Sequence, residues 1–342
     1  MSAPVPAMHS AAAVRAAARL GLKLGRPNLE AFAETLLGLA RADRNVLAVT
    51  SDSRGSGRLG PFGQALPEQI VEVGIAEQNL VGIAAGLAAA GKTVFAVSPA
   101  CFLTARALEQ IKNDVAYSDQ PVVLVGISAG VSYGALGSTH HSLHDFAALR
   151  AIPNLVLLAP ADNFETAAAV TAAAAARRPV YLRFGKAPLY DLPRAAGAFA
   201  IGPARVLRPG TDVAFLATGE TVVHALLAAA ELEERDRLQC RVLSVPTIKP
   251  LDTAAVVQAA QACRAVITVE EHLVCGGLGE ACAGVLAQAG LAGRFQIVAI
   301  PDEDTVTGSQ ADIFRHYGLT MEGLAQTARD LLHRPALSAG PP

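Results

Sequence analysis

Nothing in this chain marks it for a bilayer, a nucleic acid or an oxidising compartment. The longest run built only of apolar residues and glycine, 80–91, is rich in small side chains and shorter than the ~20 residues a membrane-spanning helix needs. No long basic run accompanies the formal net charge of -2, so the sequence carries no electrostatic footprint for nucleic acid or an anionic membrane. Five cysteines, at 101, 240, 263, 275 and 282, include no CxxC pair and lack the dense, even spacing of a disulfide framework. A reduced, cytoplasmic setting fits that usage.

What is present is material for packed cores. A chain of 342 residues has room for about two domains, and 52% hydrophobic against 17% charged residues is ample for both. The first 26 residues are rich in alanine and arginine and contain no acidic residue. Residues 1–27 read as a flexible N-terminal arm; a transit peptide has the same look.

From residue 28 the pattern becomes regular. A helix over 29–42 precedes a buried apolar strand over 46–50, which ends in the polar turn Ser51-Asp52-Ser53-Arg54-Gly55. Strands over 70–73, 93–97, 122–127, 155–159 and 180–183 then alternate with helices over 77–90, 103–117, 145–150 and 163–176. That order predicts an α/β domain over 28–187 whose mainly parallel sheet is covered on both faces. Prolines at 188, 193 and 203 and glycines at 197 and 202 break the rhythm, so 188–203 reads as a linker. A second, smaller doubly wound α/β domain is expected over 204–342, with strands over 212–217, 240–245, 265–269 and 295–300 and helices near Thr221, Thr253, Leu278 and Met321.

Ligands of open α/β sheets sit at the carboxyl ends of the strands, so the polar turns there are the first candidates. One is Glu72-Val73-Gly74-Ile75-Ala76-Glu77-Gln78-Asn79, where Glu77 enters a helix carrying Gly82 and Gly86 on one face, as at a tightly packed dimer interface. A carboxylate in a first helical turn also complements the macrodipole by ~0.3–1 kcal/mol with no catalytic task. A second turn places Phe102 just after a strand, where an aromatic is as ready to be core as a stacking platform. The third is the loop from Ser132 to Asp145, with His140, His141 and His144 within five residues and glycines that let backbone approach a ligand. His140 and His144 have the i,i+4 spacing of a metal-ligand pair, but no HExxH pattern or cysteine pair accompanies them.

These segments resemble the transketolase family. The run Val71-Glu72-Val73-Gly74-Ile75-Ala76-Glu77-Gln78-Asn79, the loop Gly137-Ser138-Thr139-His140, the strand-end Pro160-Ala161-Asp162 and Tyr181-Leu182-Arg183-Phe184-Gly185-Lys186 are similar to its pyrimidine-binding domain. Val269-Glu270-Glu271-His272 and Gly276-Gly277-Leu278-Gly279-Glu280 are similar to its C-terminal domain. The resemblance implies thiamine diphosphate as cofactor. It gives Glu77 the hydrogen bond to N1′ of the aminopyrimidine, Phe102 or Phe95 the stacking on that ring, and Asp52 a place near the cofactor. It also gives His140 the substrate hydroxyls and Arg183 the phosphate of a sugar phosphate, as guanidinium geometry suits.

Three departures shape what the resemblance implies. Ala135 and Leu136 stand where the family has an acidic pair, and Ser128 stands where a family histidine contacts the phosphate end of the substrate. A branched, deoxy or otherwise modified sugar is the implied substrate. No Gly-Asp-Gly, the family's Mg2+ and diphosphate anchor, occurs in the sequence. The implied enzyme is therefore a split transketolase, with a self-dimer of this chain joined in an α2β2 assembly by an N-terminal subunit carrying that motif. Three other readings share the architecture: the β subunit of a 2-oxoacid dehydrogenase serving a lipoyl carrier, a deoxyxylulose phosphate synthase, and a non-catalytic scaffold subunit.

Overall fold

The computed structural model describes residues 8–194, 198–291 and 293–334. The first half runs α1 (Ala11–Arg19), β1 (Leu24–Pro27), α2 (Asn28–Ala42), β2 (Val46–Thr50), α3 (Gly60–Ala65), β3 (Ile70–Glu72), α4 (Glu77–Ala89), β4 (Thr93–Pro99), α5 (Ala100–Arg106), α6 (Leu108–Gln110), β5 (Val122–Ile127), α7 (Asp145–Arg150), β6 (Val156–Leu158), α8 (Asn163–Ala175), β7 (Val180–Arg183) and β8 (Pro188–Tyr190). The second continues through β9 (Arg205–Arg208), β10 (Val213–Ala217), α9 (Val222–Asp236), β11 (Cys240–Ser244), β12 (Thr247–Lys249), α10 (Thr253–Ala262), β13 (Ala265–Leu273), α11 (Leu278–Gln288), β14 (Arg294–Ile300), α12 (Gln310–His316) and α13 (Met321–His333).

Strands such as Val46–Thr50 and Val122–Ile127 are buried along their whole length, as sequences without polar alternation require when helices cover both faces of a parallel sheet. The larger sheet has the order β12-β6-β7-β5-β4-β2-β3, parallel throughout except for β12. The smaller has the order β14-β13-β10-β11-β9, with β9 antiparallel. The expected pair of doubly wound α/β layers is therefore present. Because β2, β3, β4, β5 and β7 run in one direction, the turns after them gather along a single edge of the sheet.

Three expectations are corrected. The N-terminal segment is no loose arm from residue 8 onward. Ser10 caps α1 by accepting from the Ala13 N–H at 3.0 Å, and Ala13, Ala16 and Ala17 form an i, i+3, i+4 stripe buried in the core of the second domain. Arg19 pairs with Glu234 on α9. The linker is likewise structured in part, since β8 pairs antiparallel with β1. The helix expected over 103–117 starts earlier, at Ala100 directly after Pro99, is interrupted at Ala107, and ends as a π-helical stretch over Ile111–Tyr117.

The two domains also share a sheet. β12, from the second half of the chain, adds to β6 at the edge of the larger sheet, where Thr247 faces Leu158. Ala159 N–H donates to Pro246 O and Gly219 N–H to Ala159 O beside it. No helix among the described residues is long and apolar enough to cross a membrane.

Ala17 is fully buried, so Ala17→Asp places an unpaired carboxylate in an apolar interface. We expect it to lower unfolding stability by about 3 kcal/mol in a urea titration. Wild-type stability in that variant would show that α1 is not docked.

Candidate active site

The turn after β2 and the turn after β3 are tied by one side chain. Glu72 accepts from Thr50 Oγ1 at 2.7 Å, from Asp52 N–H at 2.6 Å and from Gly74 N–H at 3.1 Å. Its partial burial pushes the carboxyl up, but the hydrogen bonds from Asp52, Thr50 and Gly74 outweigh that and hold it below the usual range. Asp52 itself is exposed at φ 50, with its backbone rather than its carboxylate engaged.

Glu77 opens α4 and is 4% exposed. Arg106, at the end of α5, donates from Nη1 to both Glu77 oxygens at 3.0 Å. The same guanidinium lies 4.5 Å from the centre of the Phe102 ring. Phe102 is half-buried and meets His140 edge-on at 5.4 Å, and His140 in turn meets Tyr133 edge-on at 5.4 Å. Lys186, just beyond β7, sits 4.0 Å from the centre of the Tyr133 ring. Glu77, Arg106, Phe102, His140, Tyr133 and Lys186 thus form one continuous row along the carboxyl edge of the sheet. Phe95 is excluded from it: fully buried on β4, it packs against Phe32 in the core.

The loop that carries His140 is fastened from both domains. Gly130 and Ser142 exchange backbone hydrogen bonds across its base. His141 donates from Nε2 to Gly134 O at 2.9 Å, and its Nδ1 lies 2.7 Å from the Thr305 hydroxyl. Burial pulls the His141 pKa down, which suits a neutral ring that accepts at Nδ1. Glu271, from β13, accepts from Val131 N–H at 2.8 Å and from Gln310 at 2.9 Å. Glu271 and Thr305 belong to the second domain, so that domain shapes the loop. Its neighbour Glu270 accepts from Leu278 N–H at 2.6 Å and Gly279 N–H at 2.7 Å, capping α11.

Arg183, to which the resemblance gives the substrate phosphate, is held by both domains. It is 7% exposed; its Nε donates to Asp145 at 2.7 Å, and its Nη2 donates to Ser142 O at 3.1 Å and Glu271 O at 2.8 Å. Tyr181 donates to the same Asp145 oxygen at 2.8 Å. Asp145 is fully buried, yet Arg183 and His272 hold its carboxyl below the usual range against the burial that pushes it up. Nε and Nη2 are therefore committed to holding the loop and β13 together. Ser128, the other residue assigned to the phosphate end, is fully buried at φ 53, and its hydroxyl lies near the Tyr133 phenol without a well-formed hydrogen bond.

Sequence reasoning missed Arg106, Tyr133, Lys186 and the role of Glu271. Lys186 and Glu271 lie inside motifs already singled out, and Tyr133 inside the histidine loop. Arg106 is one helical turn beyond Phe102, an i,i+4 spacing that places both on one face.

Glu220 and Glu271 are buried together beneath Arg183. Burial and then the Glu271 charge push Glu220 up from 4.5 to about 8, and burial pushes Glu271 up as well. An acid whose folded pKa is raised gives stability that is complete below its unfolded pKa and is lost as pH rises toward the folded value. Their contribution to unfolding stability therefore falls as pH rises from about 5 to 8. Glu220→Gln should flatten that fall in a pH series of thermal melts, and an unchanged slope would count against the assignment. Arg183→Met, which leaves Asp145 buried and unpaired, should cost about 3–5 kcal/mol of stability in the chain without substrate.

Comparison with known proteins bears directly on this arrangement. Residues 27–190 match the pyrimidine-binding domain of transketolase and residues 202–324 the transketolase C-terminal domain. One subunit of the apulose-4-phosphate transketolase of Phocaeicola vulgatus is 46% identical over 306 residues, which is 89% of this chain and 97% of that protein. The 6-deoxy-6-sulfo-D-fructose transketolase subunit SqwH of a Clostridium species is 34% identical, covering 89% of this chain and 94% of that one. A split-gene transketolase solved as an inactive β4 tetramer superposes with a TM-score of 0.78 at 33% identity, covering 90% of this chain and 98% of the other.

Proposed function

The chain belongs to the transketolase family, and we propose that it is the half of a split enzyme that grips the cofactor pyrimidine and moves a two-carbon ketol unit from a ketose to an aldose. The family uses thiamine diphosphate, which supplies the carbanion chemistry while the protein supplies orientation and charge.

The observation that carries this reading is the Glu77–Arg106–Phe102 arrangement. A planar guanidinium donates N–H groups to a buried carboxylate while its carbon lies over an aromatic ring. An aminopyrimidine asks for the same two contacts, so the residues present fit that ring. With the cofactor bound, Glu77 would share a proton with the pyrimidine N1′ and Phe102 would offer an apolar face, with Arg106, half-exposed here, giving up its place on Glu77. His140 stands next along the row, where its ring can bond substrate hydroxyls. Leu136 is 57% exposed at the loop tip and offers no acceptor, which suits a sugar lacking a hydroxyl or carrying a modification there. The names of the relatives, which act on apulose 4-phosphate and 6-deoxy-6-sulfo-D-fructose, support a modified sugar.

Mg2+ and the diphosphate fall to a companion subunit with a Gly-Asp-Gly motif, a reading supported by relatives that are named as subunits and are matched over nearly their whole length. Self-association of the chain has its own support. A Cβ at Gly82 or Gly86 would meet nothing within 4 Å in the single chain, and Ile75, in the turn before α4, is 75% exposed. Two copies joined there and completed by two companions form the proposed α2β2 enzyme, in line with the inactive β4 tetramer of a split-gene relative. The five cysteines are free, as suits a cytoplasmic enzyme.

In the complex reconstituted with its companion, Glu77→Gln should lower kcat roughly 10²–10⁴-fold while subunit association is retained. Wild-type turnover in that variant would overturn the mechanism.

A further inference from the structure

The second domain reaches into the first at two glycines, and at each of them an acid fills the space a side chain would need. Gly130, at the base of the histidine loop, adopts φ 60, and a Cβ there would overlap the Glu271 carboxyl. Gly185, just after β7, has no room for a Cβ because the Glu220 carboxyl occupies it. Glu271 comes from β13, and Glu220 from the short turn over Gly219–Thr221 that follows β10. The two receiving segments are tied to each other, since Ala129 N–H donates to Phe184 O at 3.0 Å.

The two acids are unequally provided for. Glu271 accepts from Val131 N–H at 2.8 Å and from the Gln310 amide at 2.9 Å, whereas neither Glu220 oxygen receives a well-formed hydrogen bond among the described residues. Glu220 is 6% exposed and Glu271 3%, so both are largely closed to water. The charged groups facing the pair are Arg183 from β7 and Asp145 from α7, while α12 brings the neutral amide of Gln310. Arg183 already has its charge matched by Asp145, so two further anions would leave a net negative charge out of water. Burial, and for Glu220 the Glu271 charge as well, push the two acids up to about 8 and about 7. One proton held between two such carboxyls removes their repulsion.

We propose that Glu220 and Glu271 are positioning residues for ketol transfer: with one proton between them they key the second domain into Gly185 and Gly130, and so hold the turn after β7 in register with the loop that carries His140. Glu271, which accepts two N–H groups, is the anion of the pair, and Glu220, which receives none, is the acid. Loss of the remaining proton sets two anions against each other where the domains meet. The repulsion falls on the base of the histidine loop, where Val131 N–H meets Glu271. His140 then loses its place beside Phe102. Neither acid belongs to the row from Glu77 to Lys186, so the effect is on how the substrate is held rather than on the chemistry at Glu77. The readout in sugar transfer rests on the ketol-transfer reading, but the proton-held clasp does not.

Two measurements test it. In the reconstituted complex, KM for a ketose phosphate donor should rise roughly tenfold between about pH 7 and 9, with kcat changing less. Glu220→Gln keeps the shape of the acid and cannot ionise, so its KM should stay near the neutral wild-type level across that range. Glu220→Ala leaves the space at Gly185 empty and should raise KM at least about threefold already at pH 7. No alkaline rise in the wild type, or the same rise in Glu220→Gln, overturns the proposal. Separately, hydrogen exchange over residues 129–142 of the full chain, corrected for the intrinsic base-catalysed rate, should lose protection over the same pH range in the wild type and keep it in Glu220→Gln. If the complex transfers no ketol unit from any sugar yet this loss is present in the wild type and absent from the variant, the clasp stands and only the enzymatic reading fails. Protection that does not change with pH in the wild type, or that falls alike in both proteins, overturns the clasp itself.

Discussion

The buried pair between Arg183 and Asp145 is the constraint on which the rest of the site depends. A guanidinium and a carboxylate taken out of water are costly unless their remaining hydrogen-bonding groups are satisfied. Here Tyr181 donates to the Asp145 oxygen, while Ser142 O and Glu271 O accept from the guanidinium. The acceptors come from the histidine loop and from β13 of the second domain. Satisfying one ion pair therefore fixes where the loop leaves the sheet and how the second domain sits against it.

That arrangement explains why the C-terminal domain accompanies the pyrimidine-binding domain. Glu271 and Thr305 hold the loop that carries His140, and Glu270 caps α11 immediately beside them. β12 completes the union by extending the larger sheet from the other half of the chain. The buried acids Glu220 and Glu271 sit beneath the same guanidinium, raised in pKa by their burial. The site thus stands on a charged, low-dielectric platform shared by both domains rather than on the pyrimidine-binding domain alone.

Much of the fold was legible because it is local. Strands such as Val46–Thr50, Val122–Ile127 and Val180–Arg183 are short apolar runs bounded by turn residues, and their alternation with helices implies parallel pairing. The helices starting at Glu77, Asp145 and Asn163 were equally clear. The three-residue β8 and β12 were not, since three residues show no period and their pairing partners lie far away in the chain. Nor was α1: its alanine stripe looks the same free in solution as it does docked on α9.

By itself the sequence determined an α/β chain of two domains, the turns that would bear its chemistry, and the resemblance that points to thiamine diphosphate. Hydrophobic period and turn chemistry act between near neighbours, so those features can be read directly. Only the tertiary structure decided that Phe102 faces the site while Phe95 is core, that Arg183 is committed to Asp145, and that Glu220 and Glu271 are buried together beneath it. Which partner satisfies a buried charge depends on groups brought together from distant parts of the chain, and no local pattern encodes that choice.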